Sequence, residues 1–320
     1  MSTKARDHAS RPVVFLMGPT ASGKTHLAMD LTQRLPLRII SVDSAMVYRG
    51  MDIGTGKPDE EALRRAPHRL IDIRDPGQTY SADDFRRDAL DEIARAHEEG
   101  KIPFLVGGTG LYFRALRDGL STLPSADSGV RARLAAQAGE QGWEALHARL
   151  AEIDPESAAR IHANDPQRIQ RALEVYQLTG QPMSRLLSAE ERVALPNPVH
   201  TVIIEPRDRG RLHADIAARF RAMLGAGLLE EVSDLRRRCQ LDANTACMRA
   251  VGYRQAGEYL EGRCDYEQMV DRGIAATRQL ARRQLTWLRG EGRATRFDCH
   301  GKALTGTVLA TLERLLPDAP

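Results

Sequence analysis

Cysteine is scarce in this chain, and the little there is follows no metal-binding pattern. Cys239, Cys247, Cys264 and Cys299 are the only four among 320 residues, and no two form a C-x-x-C pair. That spacing argues against both a zinc site and a disulfide framework in a chain this long, so reduced thiols of a cytosolic protein are expected. Neither H-E-x-x-H nor G-x-S-x-G occurs, which leaves metalloprotease and hydrolase chemistry without support. No apolar run approaches the ~20 residues of a membrane span. Met1–Arg11 is polar and lacks an apolar h-region, so a short disordered lead is expected there rather than a signal peptide. Internal repeats and low-complexity tracts are absent too. Excess charge is also missing: 46 Lys and Arg against 43 Asp and Glu leave +3. Any hold on a polyanion must therefore come from local clustering.

With 42% hydrophobic and 28% charged residues, the chain has the balance of an ordinary globular protein with a core to bury. Its most informative stretch is Gly18-Pro19-Thr20-Ala21-Ser22-Gly23-Lys24-Thr25, which fits G-x-x-x-x-G-K-[ST]. In such a loop, backbone N–H groups form a nest around phosphate oxygens, and the glycines permit backbone angles that side chains forbid. Lys24 would bring an ammonium to those oxygens, and the Thr25 hydroxyl would ligate a magnesium ion. The context agrees. Val13–Met17 is an apolar run of buried-strand length, and Leu27 and Leu31 open a helical pattern behind the loop.

Strand and helix signals alternate through the first 120 residues, which favours an α/β fold with a parallel sheet wrapped by helices. Leu37–Val42 and Ile102–Val106 read as strands, and His68–Ile73 reads as a short one. Ser81 to Glu99 reads as a helix with Ser81 as its N-cap, Asp83 and Asp84 in its first turn and Gly100 past its end. From 123 to 198 no strand-like run appears. Helical segments separated by Asp154-Pro155 and Asn164-Asp165-Pro166 suggest an all-helical insertion domain. The expected organisation is a P-loop NTPase-like catalytic core from 1–122 and 199–320, with the insertion from 123–198. Beyond Ile204 the chain reads as mostly helical.

Ligands of open parallel sheets bind at the C-terminal ends of strands. Asp43 follows the second strand and Thr109 follows the strand ending at Val106. Asp43 can serve as a catalytic carboxylate, a metal partner or a turn former. The strand Ile102–Val106 ends in Gly-Gly, not in the acid expected of a phosphate-hydrolysing enzyme. A third constellation is basic: seven arginines between Arg272 and Arg296 face only Glu291. On a helix Arg278, Arg282 and Arg289 fall within roughly 40° of one another, beside an apolar stripe of Ile274, Ala281, Leu285 and Leu288. A polyanionic partner is favoured over a merely solvated face. In the insertion, Ile169, Leu173 and Tyr176 make a buried face and leave Arg168 and Arg171 as neighbours, with Glu174 in reach.

Taken in order, these stretches resemble the tRNA dimethylallyltransferase family, the bacterial tRNA isopentenyltransferases. The resemblance runs from about residue 12 to 298. It rests on Gly18–Thr25, Ser41–Ser44 through Tyr48–Pro58, His68–Pro76, Ser81–Phe85, Val106–Tyr112, Asn164–Arg168, Arg249–Gln255 and Thr277–Gln284. It implies transfer of a dimethylallyl group from dimethylallyl diphosphate to N6 of the adenosine just 3′ of a tRNA anticodon, in a monomeric cytoplasmic enzyme using Mg2+. The diphosphate would lie on Gly18, Pro19, Thr20, Ala21, Ser22, Gly23, Lys24 and Thr25, with Arg219 added to the clamp. Asp43 would be the general base, and Thr109 would orient the amine or the diphosphate. The flipped-out adenosine and its stem-loop would meet Asp43, Ser44, Ala45 and Met46. Further tRNA contacts would come from Arg131, Gln167, Arg168, Ile169, Gln170 and Arg171 in the insertion. In the core they would come from Arg249, Ala250, Val251, Gly252, Tyr253 and Arg254, and from Arg278, Arg282, Arg283 and Arg289. Met46 stands where the family carries a glutamine. The competing expectation for the same loop is a small-molecule kinase or NTPase that binds ATP.

Overall fold

The structure, a computed structural model, describes residues 11–121, 123–189, 192–243 and 245–316. The N-terminal lead expected for Met1–Arg11 therefore lies, but for Arg11, outside the described residues. By packing, the chain forms two compact units, Met1–Arg117 with Leu195–Pro320, and Asp118–Ala194.

The first unit is built on one parallel sheet. Its elements run β1 (Val13–Met17), α1 (Lys24–Thr32), β2 (Leu37–Val42), α2 (Glu60–Arg65), β3 (His68–Arg69), α3 (Ala82–Glu98), β4 (Ile102–Gly107) and α4 (Gly110–Asp118). Among the described residues the sheet has six strands in the order β3-β2-β4-β1-β5-β6, where β5 is Val199–Glu205 and β6 is Ala294–Asp298. β1 is central, pairing Val14 with Phe104 on one side and Val13 with Val199 on the other. Every residue of β1, β2 and β4 is buried, as continuous apolar runs require when helices cover both faces. Phe15, Met17, Phe85 and Leu105 belong to one apolar cluster; Leu16, Leu27, Phe104 and Val106 belong to another.

Local signals explain the helix ends. The Ser81 side chain accepts from Asp84 N while Asp84 accepts from Ser81 N, a full capping box that starts α3 where the sequence places it. β3 is shorter than expected. Leu70 and Asp72 take left-handed backbone angles (φ 62° and 56°), so extended pairing stops after Arg69.

The second unit is helical. Beyond α4 come α5 (Ser128–Ile153), α6 (Pro155–Arg160), α7 (Pro166–Thr179) and α8 (Met183–Ala189). α5 breaks at Gly142, whose backbone is not helical. Asp154 and Asp165 cap α6 and α7 with a proline at each first position. Leu134, Leu150, Ile169 and Leu173 form the unit's own core.

The chain then returns to the sheet. β5 is followed by α9 (Arg209–Gly225), α10 (Leu228–Cys239), a 3₁₀ turn at Cys247–Arg249, α11 (Tyr253–Leu260), α12 (Tyr266–Leu288), β6 and α13 (Leu304–Leu315). Here the sequence reading is corrected: the arginine-rich stretch is not one helix. α12 ends at Leu288, and Arg293 and Arg296 lead into an edge strand, where Arg296 pairs with Glu205 at 2.8 Å.

Candidate active site

The loop between β1 and α1 turns at the C-terminal end of the central strand, where a parallel sheet presents its ligand crevice. Ala21 and Gly23 hold left-handed angles (φ 62° and 76°), which bends the loop so that α1 begins at Lys24. Gly18 N–H donates to Gly107 O, tying the loop to β4. The Lys24 ammonium donates to Pro19 O of its own loop at 2.9 Å. Burial lowers its pKa to about 8; the Asp43 carboxylate opposes that shift and the Arg219 guanidinium adds to it. Burial likewise depresses Arg219, with Asp43 pulling the other way. Two half-buried cations and one carboxylate thus share a small volume.

The loop and the strand ends enclose a cavity of about 640 Å³ lined by Thr20, Lys24, Thr25, Asp43, Thr109 and Arg219. Asp43 Oδ1 accepts from Ala45 N at 2.8 Å and Met46 N at 3.2 Å, so this residue does form a turn. Among the described residues Oδ2 has no hydrogen-bond partner, which leaves it for a ligand. Thr109 caps α4, its carbonyl accepting from Tyr112 N and Phe113 N. A second opening of about 1120 Å³ shares Ala21, Lys24, Thr25, Arg219 and Met223 with the first and is otherwise walled mainly by α1, α2, the end of α9 and the loop 52–58. The cationic pair therefore lines both openings.

Three groups that motif reading left without a role complete the site. Gln284 on α12 accepts from Thr20 N at 2.8 Å and donates to Gly108 O at 3.0 Å, pinning the phosphate loop to the end of β4. A Cβ at Gly108 would meet the Gln284 amide at 2.4 Å, so this approach needs glycine. His68 Nδ1 lies 2.7 Å from Ala66 O, and its Nε2, in the cavity wall, is buried and unpartnered. Burial lowers the His68 pKa and keeps the ring neutral near pH 7. The third group is Glu231. Its Oε2 accepts from Asp52 N and Ile53 N, and its Oε1 accepts from Gly54 N and from the Tyr253 hydroxyl. This fixes the glycine-rich loop that in turn receives Arg219: a Cβ at Gly56 would lie 1.9 Å from the Arg219 guanidinium, and Arg219 Nη2 donates to Thr55 O.

The sequence profile of the IPP transferase family matches residues 46–291. A curated tRNA dimethylallyltransferase of Thioalkalivibrio sulfidiphilus is 58% identical over 280 residues, covering 88% of each chain. The chain belongs to the IPP transferase family. Solved structures agree. The tRNA isopentenylpyrophosphate transferase of Bacillus halodurans is 35% identical with a TM-score of 0.71, covering 97% of this chain and 98% of its own. The tRNA delta(2)-isopentenylpyrophosphate transferase of Staphylococcus epidermidis is 30% identical with a TM-score of 0.68, covering 97% and 100%. A eukaryotic dimethylallyltransferase acting on tRNA shares the fold, with 23% identity, a TM-score of 0.80 and coverage of 97% and 81%.

Against this IPP transferase frame, the residues singled out by sequence fall into four places. Asp43, Ser44, Ala45, Met46, Arg249, Ala250, Val251, Gly252, Tyr253 and Arg283 line the 640 Å³ cavity. Tyr253 nonetheless has no exposed side-chain surface, its ring being packed under Gly54 and its hydroxyl spent on Glu231. Arg254 is exposed at the start of α11. Arg278, Arg282 and Arg289 line a different groove with Arg209 and His213, whereas Arg283, one residue round the helix, is on the cavity side. In the helical unit, Arg131 and Arg171 both pair with Glu174, which is fully buried, and Arg168 pairs with Asp165. Gln167 is exposed and Gln170 donates to Arg131 O. Ile169 is corrected: it is fully buried in the core of that unit, so its side chain cannot touch RNA.

Proposed function

We propose that this IPP transferase moves a dimethylallyl group from dimethylallyl diphosphate to N6 of the adenosine 3′-adjacent to the anticodon of tRNA, releasing diphosphate. One observation carries the reading: the loop that suits phosphates and the carboxylate that suits a proton face the same cavity, as Lys24 and Asp43. In the reaction, the bond between the allylic carbon and the diphosphate oxygen breaks while a bond from N6 to that carbon forms. The N6 lone pair is delocalised into the purine ring, so the amine attacks well only as its proton departs. Asp43 Oδ2 takes that proton, while Oδ1 stays fixed by its two backbone donors. The leaving diphosphate gathers negative charge where Lys24, Arg219 and the backbone N–H groups of Ala21, Gly23, Lys24 and Thr25 stand ready, those of Gly18, Thr20 and Ser22 being spent within the protein. Thr109 orients the amine or the diphosphate from the end of β4.

The donor set fits a hard divalent cation, because the Thr25 hydroxyl and diphosphate oxygens are all oxygen ligands. Magnesium is our assignment; when bound it neutralises charge on the diphosphate. Arg249 and Arg283 beside the cavity, and Arg278, Arg282 and Arg289 in the neighbouring groove, support tRNA as the acceptor. So do the exposed Gln167 and Arg168 of the helical unit, which we assign to the same tRNA. No helix among the described residues is long and apolar enough to cross a membrane. A cytoplasmic monomer suffices for this chemistry.

The decisive experiment offers unmodified tRNA and labelled dimethylallyl diphosphate, with ATP in a parallel reaction. Label on the tRNA is the expected result; ATP consumption without labelled tRNA would sink the reading. Asp43→Asn tests the base more finely. Asn keeps the turn-capping oxygen and removes the proton acceptor, so kcat is expected to fall about 10²–10⁴-fold with tRNA binding nearly intact. Turnover at the wild-type rate would end the general-base role.

A further inference from the structure

The edge strand β6 ends in Asp298-Cys299-His300, a cluster for which prenyl transfer has no use. One candidate ligand atom from each residue lies within 4.8 Å of the others. His300 Nδ1 is 3.7 Å from Cys299 Sγ and 4.0 Å from Asp298 Oδ1. Ligands on tetrahedral zinc, with bonds of about 2.3 Å to sulfur and about 2.05 Å to nitrogen, sit ~3.6 Å apart. The sulfur–nitrogen edge already has that length.

A second observation, independent of the cluster's spacing, concerns the other side of the imidazole. His300 Nε2 lies 2.7 Å from Asp215 Oδ2 on α9. A carboxylate there holds the proton on Nε2 and turns the Nδ1 lone pair toward the sulfur. Metal-ligating histidines are held in this way by a carboxylate behind the ring. The backbone supports the same placement: Asp298 Oδ1 accepts from His300 N and Arg207 N, and Cys299 N donates to Glu205 O. His300 is only 14% exposed in its side chain, whereas Asp298 at 26% leaves room for water at a fourth position.

We propose that Asp298, Cys299 and His300 bind a borderline-soft divalent cation of the zinc class, a site that cysteine spacing alone argued against, with Asp215 orienting the imidazole from behind. Sulfur and nitrogen donors select zinc over magnesium, so this site does not compete for the ion assigned to Thr25. The site lies against α9, the helix that carries Arg219, through the contact between His300 Nε2 and Asp215.

The test uses the full chain, freed of metal with a chelator and titrated with Co2+, which reports a thiolate ligand through a near-ultraviolet charge-transfer band. One equivalent should bind with that band present. Cys299→Ser should lose the band, whereas Cys264→Ser should keep it. Asp215→Asn, which touches no metal ligand but the ring behind it, should weaken Co2+ binding about 10–100-fold. Zinc should raise the melting temperature of the wild type but not of Cys299→Ser. A wild-type protein without the band, or a Cys299→Ser protein that retains it, overturns the proposal. Neither readout depends on prenyl transfer, so failure here leaves the proposed reaction untouched.

Discussion

Lys24 is where a single residue has the most to say about pH. Burial, then Arg219, hold its pKa down to about 8 against the pull of Asp43. Below that value the ammonium is present and meets the diphosphate. Above it the lysine becomes neutral, and one charge of the clamp is lost. KM for dimethylallyl diphosphate is therefore expected to stay flat below about pH 8 and then to rise by up to ~10-fold per pH unit, a factor that follows from single-proton titration. Arg cannot lose its proton in this range, so Lys24→Arg should show no such break whatever its absolute rate. Steady-state kinetics from pH 6 to 9.5 check both. Lys24, Thr25 and the loop glycines were legible in the sequence because they form one contiguous motif with a fixed chemical purpose. Gln284 and His68 were not. Gln284 meets Thr20 across most of the chain, and its role exists only once α12 lies beside the loop.

At the scale of elements, the glycine-rich segment from Asp52 to Gly56 has no regular structure of its own and borrows its shape from α10 and α11. Glu231 satisfies three of its amides and the Tyr253 hydroxyl at once. Glu231→Gln places an NH2 group where only donors converge, so it is expected to destabilise the fold by about 2 kcal/mol. It should also raise KM for the diphosphate more than it lowers kcat, because Arg219 leans on this loop. Urea unfolding and initial rates measure the two effects. Element boundaries were legible where side chains cap the backbone, as with Ser81 and Asp84 or Asp165 and Pro166. They failed where tertiary pairing overrides local pattern. β6 was invisible because Ala294–Asp298 is half-exposed and follows a basic helix without an apolar run. His68–Ile73 reads as a short strand yet pairs only over His68–Arg69, because left-handed angles at Leu70 and Asp72 leave no mark on hydrophobicity.

For the molecule as a whole, a net charge of +3 conceals a strongly local distribution. Arg209, Arg278, Arg282 and Arg289 share one groove whose lining holds no carboxylate, while Arg131 and Arg171 spend charge on Glu174 inside the helical unit. Replacing Arg278 and Arg282 together by Ala is therefore expected to weaken tRNA binding and to flatten its salt dependence by about 1.4–1.8 units of log–log slope. Filter binding across a salt series reads that slope, and an unchanged value returns the groove to ordinary solvent. The α/β class was legible from alternating elements, but the strand order was not, because nothing local says that β5 will be the second neighbour of β1. That pairing has a consequence during synthesis. Val13 meets Val199, so one backbone edge of this all-apolar middle strand stays unpaired until β5 has emerged from the ribosome. By then the entire helical unit between them has already left the ribosome. The newborn protein thus spends much of its translation with its most adhesive backbone edge unprotected, a natural place for a chaperone to wait.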